Sequence, residues 1–129
     1  MYATTGNEKF KARVDYIVDE LAECQKARKT GYVGAIPDED RIWKEVSEGN
    51  IRYDGFGLNG GWVPWYALHK VWAGLIDSYK LTGSKQALEV VTKMSDWAVN
   101  MLSGLSEEQF QQMLACEFGG MNESFAEMY

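Results

Sequence analysis

Residue types that bind metals or react near neutral pH are scarce in this 129-residue chain. It has one histidine, His69, and two cysteines, Cys24 and Cys116. Two cysteines do not make a disulfide framework. Neither stands in a Cys-x-x-Cys or Cys/His spacing, so buried free thiols are expected and a metal site or cofactor within the chain is not. Positive charge is also in short supply: 13 Lys and Arg against 19 Asp and Glu give a net charge of −6. That argues against a nucleic-acid partner, because phosphate binding needs clustered basic side chains. The one basic cluster, Lys26, Arg28 and Lys29, falls where a helix should end and suits the negative pole of its dipole. No apolar run reaches the roughly 18 residues of a membrane span, so no membrane partner is expected. Met1-Tyr2-Ala3-Thr4-Thr5-Gly6-Asn7 lacks the basic and apolar regions of a secretory signal, and the sequence names no compartment. Sustained period-two alternation is missing too, which leaves an all-α chain.

What is present is helical periodicity. Phe10, Val14, Ile17, Val18, Leu21 and Cys24 fall three and four apart, predicting a helix from Asn7, its N-cap, to about Arg28. A glycine-rich connection follows, from about Lys29 to Val63. A short helix is predicted inside it, with Pro37 near its first turn and Ile42, Trp43 and Val46 on one face. The next helix opens at Pro64, with Trp65, Leu68, Trp72, Leu75, Ile76 and Tyr79 as its stripe, and stops before Gly83. Ser84 caps another, which buries Leu88, Val91, Met94, Trp97, Ala98 and Leu102. Ser106-Glu107-Glu108-Gln109 is a capping-box pattern opening a shorter helix. Gly119-Gly120 breaks it, and a last helix runs from about Met121.

Two echoes reveal a repeat. Tyr2-Ala3-Thr4-Thr5-Gly6-Asn7 matches Tyr79-Lys80-Leu81-Thr82-Gly83-Ser84: the end of one helix, a Thr-Gly turn, a polar cap on the next. In that register Val14 pairs with Val91, Ile17 with Met94 and Leu21 with Ala98. Gly60-Gly61 likewise echoes Gly119-Gly120. Repeated helix pairs make solenoids or closed toroids. The chain starts and stops at equivalent points of the unit, Tyr2 and Tyr129, so residues 1–129 read as a single partial domain. Homo-oligomers through uncovered repeat faces are expected.

Three stretches in order, Gly31-Tyr32-Val33-Gly34-Ala35-Ile36-Pro37, Asn59-Gly60-Gly61-Trp62-Val63-Pro64-Trp65-Tyr66-Ala67-Leu68-His69-Lys70-Val71-Trp72-Ala73-Gly74-Leu75 and Cys116-Glu117-Phe118-Gly119-Gly120-Met121-Asn122-Glu123, resemble signatures of the β-L-arabinofuranosidase glycoside hydrolases of families 127 and 146. The resemblance covers nearly the whole chain. It implies part of an (α/α)6 toroid built of antiparallel helix pairs, from a parent that hydrolyses L-arabinofuranosides of plant-type glycans. It also implies a cysteine nucleophile, a zinc ion held by cysteines and a glutamate, and a glutamate acid/base. Those motifs lie downstream in the family. No Glu-x-Cys or Cys-Cys pair occurs here, so no catalytic residue or metal ligand carries over to Cys24 or Cys116, and the chain alone is expected to be inactive. The rival reading is a standalone helical-repeat module that binds a glycan or another protein without catalysis.

Candidate carbohydrate-binding residues follow. His69, one turn from Trp65 and Trp72, has donor and acceptor nitrogens for sugar hydroxyls; the alternative is a core histidine bonded to a backbone carbonyl. Aromatic rings stack on the apolar faces of sugars, which makes Trp62 and Tyr66 candidates, whereas Trp65 fits the core stripe. Asn122 and Glu123 flank the second Gly-Gly loop, where they would contact substrate or merely cap a helix. Glu117 and Glu123, six apart, are a weak acid/base pair. Tyr32, Arg41, Trp43 and Tyr53 could reach a cleft rim, but surface and satellite packing is the favoured expectation.

Overall fold

A computed structural model describes residues 1–129. The order is α1 (Tyr2–Thr5), α2 (Glu8–Arg28), α3 (Glu39–Ser47), β1 (Tyr53–Asp54), β2 (Gly57–Leu58), β3 (Gly61–Trp62), α4 (Pro64–Thr82), α5 (Lys85–Leu102), α6 (Glu107–Cys116) and α7 (Gly120–Met128). The chain is therefore mostly helical. The one departure from an all-α chain is a three-stranded antiparallel sheet in the order β1-β2-β3. No helix is long and apolar enough to cross a membrane.

The repeat is physical. Gly6 and Gly83 both adopt left-handed backbone, at φ 63° and 75°, and each donates its N–H to the tyrosine carbonyl four residues back, Tyr2 or Tyr79. Glycine takes that conformation without the steric cost of a Cβ. The next helix is then capped by a side chain: Asn7 accepts from the Lys9 N–H at 3.0 Å, and Ser84 from the Ala87 N–H at 3.3 Å. With so short a turn, α4 and α5 fold back as an antiparallel pair. α4 packs against α5, α7 and α1, and α5 packs against α2 and α3 as well. The core lies between α4 and α5, with Leu68, Trp72 and Leu75 of α4 facing Val91, Met94 and Ala98 of α5, all buried. The Trp72 indole N–H donates to Ser95 Oγ at 3.0 Å. Burying a side chain such as Leu68 or Leu75 contributes about 1.5–3 kcal/mol.

Several expectations need correction. Ile17 is 56% exposed although its counterpart Met94 is fully buried, because α5 has helices on both sides and α2 is covered mainly along Val18 and Gln25. Cys24 is exposed; only Cys116 is a buried thiol. Tyr32 and Trp43 are core residues. They join Trp65 and Trp97 in a cluster of aromatic rings with centroids 4.7–6.3 Å apart, a spacing that adds edge-to-face attraction to burial. Arg41 and Tyr53 do lie at the surface. Pro37 precedes α3 in a turn, and the left-handed Asp38 starts the helix. Tyr79 lies mostly outside the core, and α7 begins at Gly120.

The glycine-rich connection is ordered by one side chain. Asn59 is 2% exposed. Its Nδ2 donates to Glu45 Oε2 and the Asn50 carbonyl, both at 2.8 Å, and its Oδ1 accepts from the Arg52 N–H at 2.9 Å. Asn59 and Gly60 both have positive φ, 51° and 84°, and form the two-residue turn between β2 and β3. Glu45 is held down to about 2, first by the Asn59 hydrogen bond and then by Arg52.

Candidate functional site

The hairpins, the start of α4 and the α6–α7 junction meet around a cleft of about 480 Å³. Phe56 comes from the β1–β2 turn, Trp62 from β3, Val63 from the N-cap of α4, and Trp65, Tyr66 and His69 from α4. Cys116, Glu117, Phe118, Gly120 and Met121 come from the junction. The lining is mainly apolar and aromatic, as in small-molecule sites. Its rim is uncovered: Trp62 is 72% and Phe118 80% exposed, and Phe56 leans edge-on against Trp62 at 5.9 Å. Val63, a β-branched residue at φ 40°, is a rare backbone strain of the kind that clusters at functional sites. It is held by its N–H to the Phe56 carbonyl at 2.9 Å and by its carbonyl, which accepts from Ala67 at 3.0 Å.

His69 sits in the wall of this cleft. Tyr66 meets its ring edge-on at 5.2 Å. On another side Gly120 comes so close that a Cβ there would stand 2.6 Å from His69 Cε1 and Nδ1. Burial, and then the Lys70 charge, push the His69 pKa below its ordinary 6.5, against the opposing pull of the Trp65 carbonyl and Glu123. The imidazole is therefore neutral at pH 7, with one nitrogen a donor and the other an acceptor. The Lys70 ammonium lies 5.0 Å from the Tyr66 ring centroid, a cation–π distance.

The structure thus brings Trp62, Tyr66 and His69 together. Asn122 and Glu123 are exposed in the first turn of α7 and do not line the cleft; Glu123 reaches His69 only through its charge. Trp65 is buried as expected and also forms part of the wall. Sequence reasoning missed Phe56, Phe118 and Gly120. Asn59-Gly60, the strongest short hairpin signal, could have pointed to Phe56 and Trp62 as neighbours; no local signal marks the other two.

Glu117 is tied to the start of α4. Its Oε2 accepts from the Trp65 N–H and its Oε1 from the Tyr66 N–H, both at 2.8 Å. Burial pushes its pKa up, opposed by those two bonds. Cys116, at the same junction, is driven up to about 11, mainly by burial, and so is a thiol at neutral pH, not a nucleophilic thiolate. The zinc implied by the resemblance does not fit the residues present. Cys24 is exposed on α2, Cys116 is a buried thiol, and no three His, Cys, Asp or Glu side chains converge on a point.

A mostly helical chain that repeats a helix–Gly–helix turn carries an apolar, aromatic cleft at the start of α4. The chain belongs to the β-L-arabinofuranosidase family: the family model of the GH127 catalytic domain matches residues 1–129. No curated protein matches it.

Proposed function

We propose that this chain supplies one wall of the sugar-binding cleft of a glycoside hydrolase acting on L-arabinofuranosides of plant-type glycans, within an (α/α)6 toroid. The observation that carries this reading is the neutral His69 seated between Gly120 and Tyr66 in an aromatic cleft. A furanoside presents hydroxyls and an apolar C–H face. A neutral imidazole whose N–H is drawn to the Trp65 carbonyl keeps its other nitrogen as an acceptor for the first, and Trp62 and Tyr66 serve the second by stacking. Asn122 and Glu123 would meet substrate only from outside this wall.

The chemical step belongs to residues outside this chain. Each Glu117 oxygen accepts one backbone N–H, which ties it to α4, and Cys116 is held as a thiol. The isolated chain is therefore expected to bind weakly and not to hydrolyse. An L-arabinofuranoside titrated into labelled chain should move the His69 ring and Trp62 indole signals in NMR spectra; unmoved signals at saturating sugar would refute the binding role. Turnover of an aryl β-L-arabinofuranoside by the isolated chain, even slow, would refute the assignment of chemistry elsewhere.

A further inference from the structure

We propose that Glu117 is a positioning residue: by capping the first turn of α4 from across the cleft, it sets where Tyr66 and His69 stand relative to the Gly119–Gly120 loop.

The start of α4 has few other ways to satisfy its backbone. Its N-cap, Val63, offers no side-chain acceptor, and Pro64 has no N–H. The Ala67 N–H goes to the Val63 carbonyl. Two first-turn donors remain, Trp65 and Tyr66, and Glu117 takes one with each oxygen. These bonds span 52 and 51 residues of sequence, so they join separate walls rather than finish a local turn. A carboxylate at a helix N-terminus also meets the positive end of the dipole, and charge-assisted bonds are roughly twice as strong as neutral ones. Three residues further on, Gly120 lies against the His69 ring. One side chain therefore fixes α4 and the loop that closes on its histidine.

The functional meaning rests on reading His69 as a sugar ligand, but the test does not. His69 is the only histidine, so its ring gives one unambiguous resonance. In the wild-type chain the Trp65 and Tyr66 amide proton signals should titrate together, with one midpoint above the ordinary glutamate value of 4.5. Amide signals that do not respond across the carboxylate range would overturn the clamp. In Glu117→Ala the loosened wall should admit water and move the His69 pKa up toward 6.5. Loss of a carboxylate alone moves a histidine down, so an upward shift reports positioning and an unchanged or lowered value overturns it. Glu117→Gln, which keeps the volume and one acceptor, should give a smaller upward shift. Should neither variant fold, the wild-type amide titration decides the proposal. Loss of sugar shifts at His69 with the clamp intact would count against the sugar-site reading alone.

Discussion

Gly120→Ala puts the geometry around His69 to its sharpest test. An added Cβ would lie 2.6 Å from Cε1 and Nδ1 and 2.8 Å from Cγ of the His69 ring. Ordinary contact begins near 3.4 Å, so the ring must retreat by about 0.8 Å or change rotamer. Retreat is hindered, because Tyr66 packs on the ring edge-on. Overpacking of this kind costs about 1–3 kcal/mol. The substitution regains part of that from helix propensity, at most about 1 kcal/mol and less in a first turn. The expected net loss is about 1–2 kcal/mol, a factor of roughly 5–30 in the folded-to-unfolded ratio. Urea denaturation followed by tryptophan fluorescence measures it. The decisive experiment is a double-mutant cycle: with His69→Ala in the background, the Gly120→Ala cost should vanish, giving a coupling of about 1 kcal/mol or more. Gly119→Ala is the control. That glycine has φ 89° and no atom within 4 Å of its added Cβ. Its cost, about 1–3 kcal/mol of backbone strain, should be the same with or without the histidine ring. A Gly120→Ala cost independent of His69 would refute the packing argument.

Asn59→Ala removes three hydrogen bonds of a buried side chain and leaves alanine in left-handed backbone; a loss of about 2–4 kcal/mol is expected in denaturant titrations. Glu45, held down to about 2 chiefly by Asn59, stabilises the fold above its ordinary 4.5, and that contribution fades as pH falls toward 2. Wild-type stability should therefore drop more steeply over this acid range than that of Asn59→Ala, and equal slopes would contradict the linkage. Trp62→Ala, at a residue 72% exposed, should change stability by no more than about 0.5 kcal/mol while abolishing the sugar response at the cleft; a large stability loss would mark Trp62 as packing instead. Self-association is expected through uncovered apolar residues such as Tyr16 and Ile17 on α2 and Val99 on α5. A sedimenting species that stays a monomer at high concentration would rule it out.

Much of the fold was legible because its signals are local. The Tyr-x-x-Thr-Gly turns show in the sequence since each uses one glycine and one carbonyl four residues away. The capping box at Ser106 and Gln109 closes within a single turn. The sheet was missed for a physical reason: strands of two residues are too short to alternate, and only Asn59-Gly60 signalled them. Helix faces were harder. Periodicity places Ile17 and Val18 in the same stripe, but which of them is covered depends on where α5 lies. Gln25, a polar residue on that helix, is 4% exposed, because its amide donates to the Gly31 carbonyl at 2.7 Å and the Val90 carbonyl at 2.9 Å. Nothing within α2 announces either partner.

The cleft divides along the same line. Sequence alone determined its materials: the lone histidine one turn from two tryptophans, the paired glycines at the starts of α4 and α7, and the family to which their order belongs. Tertiary structure alone decided their use. It put Gly120 against the His69 ring, left Asn122 and Glu123 outside the wall, and turned Glu117 from half of a carboxylate pair into the cap of a helix about 50 residues away. Hydrogen bonds within one turn are set by neighbours in the chain, whereas a contact between distant segments exists only after the core has brought them together.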